Sequence, residues 1–292
     1  MTWQKYTLVF KLLSQLHVGY RKVGNLLQTR KYVPGKLIWA ALTARLTRDF
    51  ADGGDANKYR EIGDLLKEHF RFGYFYPALA EPNTTNITVS KDLKKHYFWC
   101  NEADFDYRFL NSYASTALNS DFQSAEEGSL HEVEFIAPKT RPLGSEDVAR
   151  QVYLKGEIYL DDSQPLSGTL YHWQDALQNL QLGAERNYGL GRVELMPFEE
   201  PQAASIQIEL EEGQKIRAHA LANNQLAPKH AVPIQGQVEP LLGWERAPAN
   251  SQGKHWQISS PFVCYVPGSR VREKMKLEIS EDYGLLKPVP ID

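Results

Sequence analysis

Residues 6–13 (YTLVFKLL) are mostly apolar and rich in β-formers, the pattern of a central strand. Residues 17–35 (HVGYRKVGNLLQTRKYVPG) scatter Gly19, Gly24, Pro34 and Gly35 among cations and predict a basic loop. From Lys36 the run LIWAALTARLTRDF sets Leu37, Ala40, Ala41 and Ala44 on one helical face. Pro34 stands where a helix can begin, so a helix to about Phe50 is expected. A second helical run, 57–70, spaces Tyr59, Ile62, Leu65, Leu66 and Phe70 helically and leads into FRFGYFYPAL, read as a strand. On a strand, Phe70, Phe72, Tyr74 and Tyr76 share one sheet face, where core packing outweighs base stacking.

Residues 77–129 break the rhythm and read as an insertion: NTTNITVS is turn-like, KKHYFWC strand-like, and FDYRFLNSYASTAL helix-like. Order returns with SLHEVEFIAP (129–138) and RQVYLKGEIYLD (150–161), both strand-like. Residues 171–182 space Trp173, Leu177 and Leu180 helically, and a strand ending at Pro197 follows. Strand, helix, strand, occurring twice around an insertion, matches an α+β ferredoxin-like unit over residues 1–198, the scaffold also used by the RRM. Residues 199–292 offer alternation at IQIEL, turn-rich stretches around Pro228, Pro233 and Pro240, then WQISSPFVCYV and REKMKLEIS. They form a β-rich C-terminal extension or a small second domain. Arg270, Arg272, Lys274 and Lys276 alternate along one face of a possible strand, toward solvent or RNA.

Composition narrows the class. At 292 residues, 42% hydrophobic and 24% charged, the chain is expected to fold, and disorder is excluded. No apolar run approaches the ~20 residues of a membrane span. Lys5 and Lys11 interrupt the N-terminal apolar stretch, which lacks a small-residue cleavage site, so a cytoplasmic protein without a membrane partner is expected. Cys100 and Cys264 are too few for a disulfide framework or a Cys-rich zinc site, and the histidines lack ligand-like spacing, so no metal or other cofactor is expected. The net charge of −3 hides an asymmetry. Residues 1–48 hold nine of the 33 Lys and Arg and no carboxylate; Asp49 is the first acid. A polyanion partner follows from that segment, with a solvated basic face as the alternative.

Residues 183–193 (GAERNYGLGRV) set Gly183, Gly189 and Gly191 beside Arg186, Tyr188 and Arg192 between a helix and a strand. Glycine lets another backbone approach, and exposed N–H groups with arginines suit phosphate oxygens. No Gly-Lys-Ser/Thr follows, and the segment closes a helix rather than opening one, which disfavours Walker and dinucleotide loops. A helix cap followed by a tight turn is the plain structural alternative.

Gly183-Ala184-x-x-x-x-Gly189-x-Gly191-Arg192-Val193 resembles the glycine-rich loop of the CRISPR-associated RAMP superfamily. LLSQLHVG (12–19), KYVPGKLIWAAL (31–42) and VYLKGEIYL (152–160) resemble the end of that superfamily's first strand, the approach to its first helix and its third strand. The resemblance spans residues 6–198 and implies a guide-RNA (crRNA)-binding subunit, of the backbone or 5′-cap kind, in a type III effector complex. Its partners would be crRNA, target RNA and other effector subunits. It places Gly183, Arg186, Tyr188, Gly189, Gly191 and Arg192 near RNA, together with His17, Arg21, Lys22, Arg30, Lys31 and Lys36. Target-cleaving relatives carry an aspartate after the first strand, and this chain has no carboxylate there, which implies a non-cleaving role. The alternative is a metal-independent processing endoribonuclease using His17 as base with Tyr20 or Lys22, although the glycine loop here stands far from the C-terminus, unlike in processing enzymes. A protein-interaction scaffold without RNA contact is the third reading.

Overall fold

A computed structural model of the chain describes residues 3–51, 55–80, 93–95, 102–145, 147–163, 165–222, 232–247 and 256–289. The turn-like NTTNITVS segment, most of KKHYFWC, Asp52 and Cys100 lie outside the described residues. Strands predominate, with four α-helices among the described residues, in a mixed α/β chain of open sheets.

The first strand, β1 (Trp3–Leu12), alternates its faces: Leu8, Phe10 and Leu12 enter the main core, while Val9 enters a small cluster on the other side. The expected basic loop is instead a hairpin of β2 (Gly19–Val23) and β3 (Leu26–Thr29), closed by Gly24-Asn25 with Gly24 at φ +59°. That two-residue turn is a hairpin signal the cations had obscured. Helix α1 (Gly35–Phe50) starts after Pro34 as expected. Its buried stripe is Ile38, Trp39, Ala41, Leu42 and Leu46; Leu37, Ala40 and Ala44 are only half-buried, so the stripe is rotated from the expected face. At Gly35 the chain is tight: a Cβ there would overlap the carbonyl oxygens of Phe72 and Tyr283.

Helix α2 (Ala56–His69) begins at an Asp55 cap that accepts from the Lys58 amide. The strand expected over 70–79 is broken into β4 (Phe70–Phe72) and β5 (Tyr76–Ala80), because Gly73 turns its N–H to the Glu157 carbonyl at 2.8 Å. The break divides the four rings. Phe70 and Phe72 enter the main core, whereas Tyr74 and Tyr76 pack in a second cluster with residues of the C-terminal part. Strand β6 (Leu93–Lys95) pairs with β5. The helix-like FDYRFLNSYASTAL is helical only within α3 (Glu102–Phe109) and continues as β7 (Leu110–Ser115). A two-strand turn, β8 (Leu118–Asn119) with β9 (Ser124–Ala125), leads to β10 (His131–Ile136) and β11 (Val152–Asp161). Helix α4 (Trp173–Leu177) is shorter than the periodicity suggested, being preceded by a 3₁₀ turn, and β12 (Val193–Leu195) closes this part.

The central sheet runs β12-β1-β11-β5-β6, each neighbouring pair antiparallel. The β1–β11 ladder extends from Trp3↔Asp161 to Lys11↔Tyr153. A second sheet, β2-β3-β10-β7, joins the basic hairpin to strands from the insertion side. Residues Gln202–Ala204 pair with β1, and the remainder builds a six-stranded sheet in the order 207–210, 275–279, 286–289, 220–221, 262–265, 238–241. Arg270 and Arg272 do not share a strand with Lys276; Lys274 is bonded to Glu211 at 2.8 Å.

Candidate nucleic-acid interface

The glycine-rich segment is fastened to the end of β1 by backbone hydrogen bonds. The Ala184 N–H donates to His17 O at 2.9 Å, the Gly191 N–H to Gln15 O at 2.7 Å, and the Leu13 N–H to Arg192 O at 2.9 Å. Gly183, Gly189 and Gly191 all have positive φ, near +80°. A Cβ at Gly183 would strike the His17 carbonyl and one at Gly191 the Leu182 carbonyl, whereas Gly189 faces open space. Two of the glycines therefore permit close chain crossing and the third only a turn. The N–H groups of Ala184, Gly189 and Gly191 are all spent on protein carbonyls. Those three amides are closed to a phosphate, whereas the side chains of Arg186, Tyr188 and Arg192 are all exposed, Tyr188 to 73%.

His17 is 4% exposed, and its Nδ1 lies 2.7 Å from the Glu134 carbonyl. That contact makes Nδ1 a donor and orients the ring against β10. A buried, carbonyl-bonded imidazole suits packing between loop, β1 and β10 better than activation of an RNA hydroxyl.

The cations before α1 divide into two sets. On β2, whose residues are all exposed, Arg21 bonds Gln28 and lies over the Tyr20 ring; neither Arg21 nor Lys22 pairs with a carboxylate among the described residues. The others point inward. Arg30 donates to Glu239 at 2.5 Å and to the Tyr32 hydroxyl at 3.2 Å. Lys31 meets Asp106 at 2.6 Å. Lys36 reaches Glu245 at 2.9 Å and Ser259 at 3.2 Å and covers the Tyr283 ring. Lys5, Lys11, Arg45 and Arg48 also face carboxylates. Most of the N-terminal cations are thus answered within the chain, by acids drawn largely from later in the sequence.

Around Arg30 lies a buried network that residue patterns did not indicate. Tyr74 bonds His219 Nδ1 and His219 Nε2 bonds Glu239, each at 2.7 Å. A neutral His219 that donates from Nε2 and accepts the Tyr74 hydroxyl satisfies both contacts. Burial, first, lowers the His219 pKa below its ordinary value against the upward pull of Glu239. Burial works to raise Glu239, but the His219 hydrogen bond and the Arg30 charge outweigh it and hold the carboxyl below its usual range. Cys264, buried beside this carboxylate, has its thiol pushed up to about 12, chiefly by burial, and stays unreactive. No group of three metal-ligating side chains occurs among the described residues.

No family model matches the chain, and no curated protein matches it. Solved structures with similar backbones include a chain described as a cryo-EM structure of the Type III-B Cmr-beta bound to cognate target RNA and AMPPnP, state 1. It has 11% identity and a TM-score of 0.49, covering 91% of this chain and 85% of the other. A chain of the Type III-B Cmr-beta bound to cognate target RNA has 11% identity and a TM-score of 0.39, covering 66% and 96%. One from the apo state has 11% identity and a TM-score of 0.36, covering 65% and 96%. This chain is similar to all three in backbone course.

Proposed function

We propose that the chain is a non-cleaving crRNA-binding subunit of a type III CRISPR effector complex, of the RAMP superfamily, with partners in target RNA and neighbouring effector subunits. In this reading residues 1–198 are a ferredoxin-like unit carrying an insertion over 77–129, and residues 199–292 are a β-rich extension. The antiparallel order β12-β1-β11-β5, with the crossover helices between β1 and β5 and between β11 and β12, supports the ferredoxin-like assignment. The single observation that carries the RNA reading is the docking of the glycine-rich segment onto residues 13–17. It joins the segment that bears exposed Arg186, Tyr188 and Arg192 to the stretch of chain leading into the basic hairpin of Tyr20, Arg21 and Lys22. Side chains of this kind hold a phosphate backbone without reading sequence, and exposed tyrosines stack on unpaired bases. Arg30, Lys31 and Lys36 act in this reading by fixing the hairpin and α1, through the ion pairs described above.

Replacing Arg186 and Arg192 together with alanine is expected to weaken binding of a single-stranded repeat RNA and to lower the slope of log affinity against log salt by about 1.4, at about 0.7 per single-strand phosphate contact. Filter binding from 50 to 300 mM salt measures both quantities. A double variant with wild-type affinity and slope would remove the loop from the interface.

A further inference from the structure

Beside the glycine-rich segment, between the end of β1 and the β7–β10 edge, opens a cleft of about 360 Å³. We propose that it receives one unstacked nucleobase of a bound RNA strand. The inference rests on the RNA-binding reading above and goes beyond it by giving a base its own site. The size is at the lower end of the ~300–1,000 Å³ of small-ligand pockets, enough for one base and too small for a folded element.

Strand alternation decides the chemistry. Glu132 and Glu134 lie on one face of β10, where a second concavity is bordered also by Asp106 and Arg141; three carboxylates to one lining cation disfavour phosphate there. Phe135 lies on the other face and, with fully buried Leu12, gives the cleft an apolar floor that no carboxylate borders. Leu13 forms a wall and is 45% exposed, an apolar side chain left open beside the cleft. The rim carries the amides of Gln15 and Asn111, which can donate and accept as a base edge requires, the amide oxygen of Gln151, and the cation Lys139.

The cleft is also built in advance. Gln151 Nε2 donates to Leu12 O at 2.7 Å and to Pro138 O at 3.0 Å, tying two walls together. Gln15 O accepts the Gly191 N–H and Leu13 N–H donates to Arg192 O, so the cleft's wall and the arginine-bearing segment are one backbone unit. A strand whose phosphates meet Arg192 brings an adjacent base to this opening.

The test uses the full chain and a short single-stranded RNA in which 2-aminopurine replaces one base at a time. One position is expected to change fluorescence far more than its neighbours. Ala137→Phe, which fills the cleft, is expected to abolish that change and weaken binding about tenfold, within the range for loss of one stacked base, while the salt slope stays as in wild type. Leu13→Ala opens a wall from an exposed position, spares the fold, and is expected to reduce both signals less. Wild-type affinity and an unchanged fluorescence profile in both variants would overturn the base site while leaving RNA binding intact. Absence of RNA binding by the wild-type chain would overturn the RNA reading and the base site together.

Discussion

At Gly191 the backbone has no alternative to glycine, because a Cβ would occupy the space of the Leu182 carbonyl and φ is +80°. Gly189 shares the sign of φ but faces solvent. Gly191→Ala is therefore expected to cost about 3 kcal/mol or more, combining left-handed strain with a lost chain crossing, and Gly189→Ala about 1 kcal/mol. Urea unfolding of the two variants measures the difference; equal losses would show that the crossing does not matter. Three glycines in nine residues were visible in the sequence, as were the two arginines. That the amides of Ala184 and Gly191 are spent on His17 and Gln15 was not, because those carbonyls follow a strand end more than 160 residues earlier. Whether His17 is a base or a packed ring is likewise open in one dimension; in three, the Glu134 carbonyl supplies its partner.

The connection from β3 into α1 is clamped to the C-terminal part of the chain by two ion pairs. Arg30–Glu239 is almost fully enclosed, with side chains 11% and 10% exposed. Lys36–Glu245 is joined by the Tyr283 hydroxyl, which also bonds Glu245. Removing one partner of an enclosed pair strands the other, so Glu239→Ala is expected to destabilise by about 3 to 5 kcal/mol. Arg21→Ala and Lys22→Ala, on exposed β2, are expected to stay within about 0.5 kcal/mol of wild type yet weaken RNA binding. Thermal melts paired with filter binding separate the two classes, and a destabilised Arg21→Ala with normal RNA affinity would reverse the assignment. Element types near α1, α2 and β11 were legible from periodicity, since each buries its own stripe or alternating face. The break at Gly73 and the end of α3 were not, because each depends on a partner strand, Gly73 on Glu157 and Leu110 on Ile136, whereas the 17–35 hairpin carries its signal locally in Gly24-Asn25.

For the molecule as a whole, acid should act first on the enclosed network between the two sheets. His219 has a folded-state pKa below its ordinary 6.5, so the unfolded chain takes up the proton more readily and stability is lost as pH falls below about 6.5. Glu239 and Glu245 are held below their ordinary 4.5; their contribution is present above that value and is lost as pH falls through the depressed ones. The melting temperature is thus expected to be flat near pH 7 to 8, to decline from about pH 6.5 and to fall more steeply below about 4.5. In His219→Gln, whose amide keeps a donor and an acceptor, the first decline should flatten; its persistence would assign the pH dependence to another group. The sequence by itself determined the elements near β1, α1, α2, β10, β11 and β12, the glycine and arginine content of the 183–193 loop, and the acid-free first 48 residues, since these depend on local periodicity and composition. Only the tertiary structure decided where those charges went. Coulomb attraction depends on distance in space, and folding brings Glu239, Asp106 and Glu245 against Arg30, Lys31 and Lys36 while leaving Arg21, Lys22, Arg186 and Arg192 on the surface.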